Sequence, residues 1–350
     1  MDTTTRRILD VISSSIGDPL SINQLTERIK EKYGSAYYAN IYQKLQELKN
    51  AGFLNLDIMG RASIIKLNFQ NYLLIDLLSE IDIDKKMDFL TKRSDLFAFL
   101  TEMDESLTDN CAIKSISSIN PTKNIKLNRM ELLFLLGETS SYHDKTIELY
   151  KEMLKLQNKH NLKINNLILD KHDFYNLFTS DEINPIKEAL SEKITFFCPQ
   201  AFWSEIKKTA EKTEIRTIKS ETKPANISDL DLIYNLNRFG YREFGSHLAQ
   251  GKKFCIEYII TAILLQDDVR QTEAIAVILA KNNFKSNMLA FLSQKFQTAG
   301  KLIGILNTLD EIKPTTEIGK TIDILKAYNT EELPANKESI RQKLSLYNAV

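Results

Sequence analysis

Five side chains able to read a nucleic-acid surface crowd into eight positions: Tyr37, Tyr38, Asn40, Gln43 and Lys44. Amides and hydroxyls of this kind bond base edges, and a lysine meets a phosphate or a guanine. Further on, Gly60-Arg61 offers a cation suited to a phosphate backbone or a minor groove. The chemistry these residues imply is recognition of duplex DNA, with no bond made or broken. Other reactive types are dispersed. Cys111, Cys198 and Cys255 lie far apart with no CxxC pair, which excludes a zinc knuckle and argues against a disulfide framework. His143, His160 and His172 are scattered and read as solvent-facing, so no metal site is assigned.

The elements that must position the cluster follow from spacing. Ile8, Leu9, Val11, Ile12 and Ile16 form a helical apolar stripe, stopped by Gly17-Asp18-Pro19. Ser21 with Gln24 has the form of a capping box, opening a second helix that buries Leu25, Ile29 and Tyr33. Gly34-Ser35 turns the chain. A third helix, from about Ser35 to Asn50, is expected to bury Ala39, Tyr42, Leu45 and Leu48 and to present the five polar residues outward. Strands Phe53 to Ile58 and Ser63 to Phe69 then flank the tip Met59-Gly60-Arg61-Ala62.

This order, over roughly residues 5 to 70, resembles the winged helix-turn-helix family of archaeal and bacterial transcriptional regulators. The resemblance implies double-stranded DNA as partner, with the third helix in the major groove and Arg61 on the backbone. The alternative is a protein-interaction module, because Glu27, Glu31, Glu47 and Asp57 oppose the local lysines. The whole chain is no help to DNA affinity: 46 Lys and Arg balance 46 Asp and Glu over 350 residues, so any attraction must come from a local patch. Leu73 to Leu107 reads as a helical connector, with a helix from Met87 to Leu107, and such a connector suits a homodimer on a two-half-site operator.

Between residues 86 and 205 helix and strand signals alternate. Strands are expected at Ala112 to Ser117, Leu132 to Leu136, Asn166 to Leu169 and Ile194 to Phe197, with a helix from about His143 to Lys159. The tail from His172 to Trp203, with its Asn184-Pro185-Ile186 and Glu188-Ala189-Leu190 pattern, is similar to the minimal nucleotidyltransferases of bacteria and archaea. That likeness implies magnesium, a nucleotide, and carboxylates to hold them. Where the family has a Gly-Ser turn after the first strand, this chain has Ser117-Ser118. Where the family has Asp-x-Asp, it has Arg129-Met130-Glu131. Glu131 and Asp170 are the remaining candidates for catalytic carboxylates. Two carboxylates around an arginine hold two divalent ions poorly, so the domain is read as degenerate and non-catalytic, with no cofactor. A nucleotide effector held by Arg129 or Lys126 is the hypothesis that the replaced carboxylate suggests.

Residues 207–226 have the Lys-, Thr- and Glu-rich composition of a linker, and residues 227–346 are helical nearly throughout, as in a bundle. Arg242 and His247 match the Arg-x4-His spacing of HEPN ribonucleases and furnish a second enzymatic alternative. The expected architecture is multidomain α+β: a winged helix at 1–80, a nucleotidyltransferase-like domain at 86–205, a linker, and an all-α bundle. No apolar run reaches the roughly 18 to 20 residues of a membrane span, and the start of the chain lacks a signal-peptide layout, so a cytoplasmic protein is expected.

Overall fold

The computed structural model describes the chain apart from residues 19, 61, 108–111, 120, 122–127, 139–140, 190–191, 216–222, 243–249, 267–268 and 350. It is mixed α+β, in two compact units. The first comprises Met1–Glu138, Leu169–Asp181 and Pro185–Lys219; the second comprises Thr139–Ile168, Glu182–Asn184 and Ser220–Val350. The stretch 86–205 therefore contributes to both.

The first unit opens with α1 (Thr3–Ser13), β1 (Leu20–Ser21), α2 (Ile22–Tyr33), α3 (Tyr38–Asn50), β2 (Leu54–Met59) and β3 (Ala62–Leu67). Each boundary has a local cause. Asp2 accepts from the Thr5 amide at 2.9 Å and caps α1. The capping box is present: Ser21 Oγ accepts from the Gln24 amide at 3.3 Å, while Gln24 Oε1 accepts from the Ser21 amide at 2.9 Å. Gly34, at φ 82°, ends α2 in the left-handed region that favours glycine. β1 and β2 pair antiparallel on either side of β3, in the register Leu20↔Ile65 and Leu56↔Ile65.

One expectation about α3 is corrected. Its buried residues are Ile41, Leu45 and Leu48, whereas Ala39 and Tyr42 are exposed. Steps of three residues lose about 60° each on a helix with 3.6 residues per turn, so the series 39, 42, 45, 48 winds halfway round the barrel. Positions 41, 45 and 48 stay within one stripe.

α4 (Leu73–Lys92) follows and crosses the 80/86 division; a 3₁₀ turn at Ser94–Leu96 and α5 (Phe97–Leu107) come next. The expected single helix from Met87 to Leu107 is thus broken. At the break the Arg93 guanidinium grips the Asp95 carboxylate, two residues on, with bonds of 2.7 and 2.8 Å. β4 (Ile113–Ile119) lies between β5 (Arg129–Leu136) and β7 (Lys193–Phe197), antiparallel to both. Almost every residue of β4 and β5 is buried: the run Leu132 to Leu136 is apolar throughout, as a strand covered on both faces requires, whereas Ala112 to Ser117 reads as an alternating strand and yet Ser115 and Ser117 are buried with its isoleucines. α7 (Lys171–Thr179), α8 (Pro185–Ala189) and α9 (Pro199–Lys212) complete the unit, α9 and β7 packing on α4. α9 takes up the first part of the expected linker. Ile206 and Thr209 are buried, and Lys, Ala and Glu are strong helix formers, so composition alone misled here.

The second unit contains α6 (Tyr142–His160), β6 (Lys163–Leu169) and a helical array: α10 (Asp229–Arg238), α11 (Ile256–Gln266), α12 (Val269–Lys281), α13 (Ser286–Lys295), α14 (Ala299–Ile312), α15 (Thr316–Ala327) and α16 (Lys337–Leu346). α11, α13 and α14 are largely buried, as their broad apolar faces require; Ile256 to Leu264 of α11 are all buried. A polar seam sets the register of α6 and β6 against the array. Tyr150 Oη donates to Asn287 Oδ1 at 3.3 Å, Asn287 Nδ2 donates to Tyr142 Oη at 3.0 Å, and the Asn166 amide donates to Tyr328 Oη at 3.3 Å. Buried Asn235 likewise bonds Asp231 O, Lys252 O and the Phe254 amide, and so fixes the loop before α11.

Candidate nucleic-acid interface

The first two turns of α3 carry the residues singled out by type. Tyr37 is 72% exposed at the N-cap and Tyr38 49% exposed at the first helical position; Asn40 and Gln43 are exposed as well. Tyr42 joins them. Its ring stacks on that of Tyr38, with centroids 6.1 Å apart and planes 17° apart, one helical turn along. The result is an aromatic and amide surface in place of the mainly polar one expected. Its missed member, Tyr42, is found by applying the helical period strictly.

Cations near this face are mostly committed. Lys44 is half-buried and pairs with Glu47 and, at 3.4 Å, with Asp2. On the hairpin, Lys66 meets Asp57 at 3.0 Å. Arg28 bonds Ser15 Oγ at 2.7 Å and Asp18 at 2.9 Å. Lys30 and Lys49 are exposed and make no ion pair among the described residues. Arg61 lies outside the described residues. Its neighbours Gly60 and Ala62 stand at the end of the β2–β3 hairpin, where Ile58 is 83% exposed.

The candidates for nucleotide chemistry are placed differently. Ser117 and Ser118 do not form a turn after the strand; both are buried inside β4, which continues to Ile119. The Ser117 hydroxyl donates to Thr195 Oγ1 of β7 at 3.2 Å, a sheet-stabilising bond and not a phosphate cradle. Glu131 is buried within β5, and Arg129 starts that strand half-buried. Asp170 caps α7, accepting from the Asp173 amide at 2.7 Å. Lys126 and His247 lie outside the described residues, and Arg242 is exposed outside any helix. Among the described residues there is no group of three or more His, Cys, Asp and Glu side chains placed to hold a metal ion, and no helix is long and apolar enough to cross a membrane.

Two buried charge clusters went unforeseen. On α1, Asp10 is 1% exposed and is held by Lys32 at 2.6 Å, by Lys85 of α4 and by the Tyr33 hydroxyl. A carboxylate inside the apolar run Ile8 to Ile12 is the one sequence signal that could have marked it. Burial works to raise its pKa, but Lys85 and Lys32 outweigh burial and hold it at about 2, against 3.8 for a free aspartate. A depressed carboxylate contributes stability that is complete above about pH 4 and is lost as pH falls through about 2. We expect Asp10→Asn to lower unfolding free energy by about 2 kcal/mol at pH 6 and to converge on the parent chain near pH 2. Urea unfolding at both pH values checks it; an equal deficit at both would remove the charge argument.

The other cluster is Asp82 of α4 with Lys193 and Thr195 of β7 and Trp203 of α9. Asp82 Oδ2 accepts from Trp203 Nε1 at 3.0 Å, from Thr195 Oγ1 at 3.1 Å and from the Lys193 ammonium. No protein-family model matches this chain, and neither the curated proteins nor the solved structures yield a match.

Proposed function

We propose that this chain is a DNA-binding transcriptional regulator, with residues 1–80 acting as a winged helix whose α3 enters the major groove of duplex DNA. The observation that carries the reading is the solvent face of α3: Tyr37, Tyr38, Asn40 and Gln43 stand outward in the first two turns. The element order supports it, since a three-helix unit is followed by a hairpin whose second strand also pairs with β1. Lys49 and Lys30 would serve phosphates, and Lys44 could do so by exchanging its carboxylate partners.

The middle segment is proposed to be nucleotidyltransferase-like without catalysis. Asp170 is occupied as a helix cap, and Glu131 is sunk in a strand, which supports that reading over a metal-dependent transferase. A transfer assay with magnesium and all four nucleoside triphosphates is the check, and turnover lost in Glu131→Gln would reverse the proposal.

The function is tested by selecting duplexes from a randomised pool and measuring anisotropy on the enriched sequence. Affinity should fall steeply with salt, and Asn40→Ala or Gln43→Ala should each weaken the selected site by about 1–3 kcal/mol, the worth of a base contact. Failure to enrich any duplex would exclude the reading. A second reading, an interaction module binding another protein, is favoured by the stacked Tyr38 and Tyr42, the exposed Ile58 and the neutralised Lys44 and Lys66. Binding that ignores salt and is lost in Tyr38→Ala but not in Gln43→Ala would select it.

A further inference from the structure

A cavity of about 580 Å³ opens in the first unit among α1, α2, α4 and β7. Its volume falls in the range of small-molecule sites. Cations dominate the polar part of its wall: Arg6 and Arg7 from α1, Lys32 from α2, Lys85 and Lys92 from α4, and Lys193 from β7. Facing them are three acids, Asp10, Asp88 and Glu192. Asp82 and Asp84, behind the wall, pair with Lys193 and Arg6, and even with both included one positive charge is left over. Ile81, Phe89, Pro121 and Ile194 supply an apolar part of the wall, and Thr3 and Tyr33 complete it.

The distribution of partners says where the excess lies. Arg6 meets Asp84 at 3.2 Å and Asp88 at 3.4 Å. Lys32 and Lys85 converge on the single carboxylate of Asp10. Arg7 lies over the Tyr33 ring, its guanidinium carbon 4.9 Å from the centroid, and Lys92 is exposed; neither has a carboxylate partner among the described residues. A guanidinium on a ring face still has donors to spare, because stacking does not use its N–H groups.

We infer that this cavity is a binding site for a small organic anion, its phosphate or carboxylate head taken by Arg7 and Lys92 and its apolar body set against Ile81, Phe89 and Ile194. Apolar burial supplies affinity, and the two cations with no carboxylate partner among the described residues supply orientation and selectivity. The site does not depend on DNA recognition and is measured without DNA.

Isothermal titration of the full chain with phenyl phosphate, phenylacetate, inorganic phosphate and benzyl alcohol tests it. At least one of the two aromatic anions should bind with a Kd of about 1 mM or tighter, and which one does identifies the head group. Inorganic phosphate and neutral benzyl alcohol should each bind at least about tenfold more weakly. Arg7→Gln and Lys92→Gln lie at half-exposed and exposed positions, and each should weaken the aromatic anion by about tenfold. Unchanged Trp203 fluorescence would certify the fold of both variants. Heat from no aromatic anion, equal binding of phosphate or of the alcohol, or indifference to both substitutions would each overturn the inference.

Discussion

Replacing Asp82 with alanine is expected to destabilise the first unit by about 3–5 kcal/mol, the usual consequence of leaving one member of a buried ion pair alone. Lys193 has almost no solvent exposure, its side chain being 3% accessible. Its ammonium touches Asp82, Thr195 Oγ1 at 3.1 Å, and the faces of Phe202 and Trp203 with centroids at 4.4 and 4.6 Å. Burial already pulls this lysine from 10.5 down to about 8 with the carboxylate beside it. Without Asp82, two ring faces and a hydroxyl must hold the charge, and the group discharges instead. The sign of the pH dependence follows. A folded lysine pKa below the unfolded one means that the unfolded chain binds more protons between the two values, so stability rises with pH across that window. In the parent chain the rise runs from about pH 8 to about 10, and in Asp82→Ala it begins lower.

Trp203 is the only tryptophan in the chain and donates directly into this cluster, so its fluorescence in guanidinium reports the affected packing. A deficit below about 1 kcal/mol would mean that the pair is solvated in practice. The double change Asp82→Leu with Lys193→Met should recover only part of the loss: it removes both charges' desolvation penalties together, but Trp203 Nε1 and Thr195 Oγ1 lose the carboxylate that accepts from them.

Gly304→Ala is expected to cost about 3 kcal/mol, at the upper end of what overpacking does in a well-filled core. Gly304 lies in α14, and after α15 the chain returns across that helix, with the Leu333 amide donating to Gly300 O at 2.9 Å. A Cβ on Gly304 would overlap Leu333 O, and one on Gly300 would stand 2.8 Å from Glu331 O. The obstacle at both positions is backbone, which cannot swing aside as a side-chain tip can. Alanine gains about 1 kcal/mol over glycine in helix propensity, too little to offset a contact so far inside van der Waals distance. Gly319 provides the contrast within the same unit. It is helical, nothing lies within 4 Å of its would-be Cβ, and Gly319→Ala should therefore stabilise by up to about 1 kcal/mol. Thermal melts by circular dichroism should move in opposite directions for the two variants; a common direction would show that the Leu333 crossing yields to the added methyl.

What the sequence could determine was whatever local forces decide. The Ser21–Gln24 capping box, the Gly34 stop, the strands around Gly60 and the apolar run of β5 arise from interactions within a few residues, and composition and periodicity report them. The solvent-exposed face of α3 is legible too, once the helical period is applied strictly enough to turn Tyr42 outward. Local reading failed where a residue's role depends on a distant partner. Lys193 lies 111 positions from Asp82, and nothing near either one announces the pair. Ser117 and Asp170, candidates through the resemblance to minimal nucleotidyltransferases, are spent on a sheet bond and a helix cap. The balanced total of charges gave no hint of which cations are neutralised. Tertiary structure decided that Lys44 and Lys66 have carboxylate partners, while Arg7 and Lys92 share a cavity with none of their own among the described residues. The reason is physical: secondary structure is set by the chain's own neighbourhood, but the field at a site is the sum over side chains that only folding brings within a few ångströms.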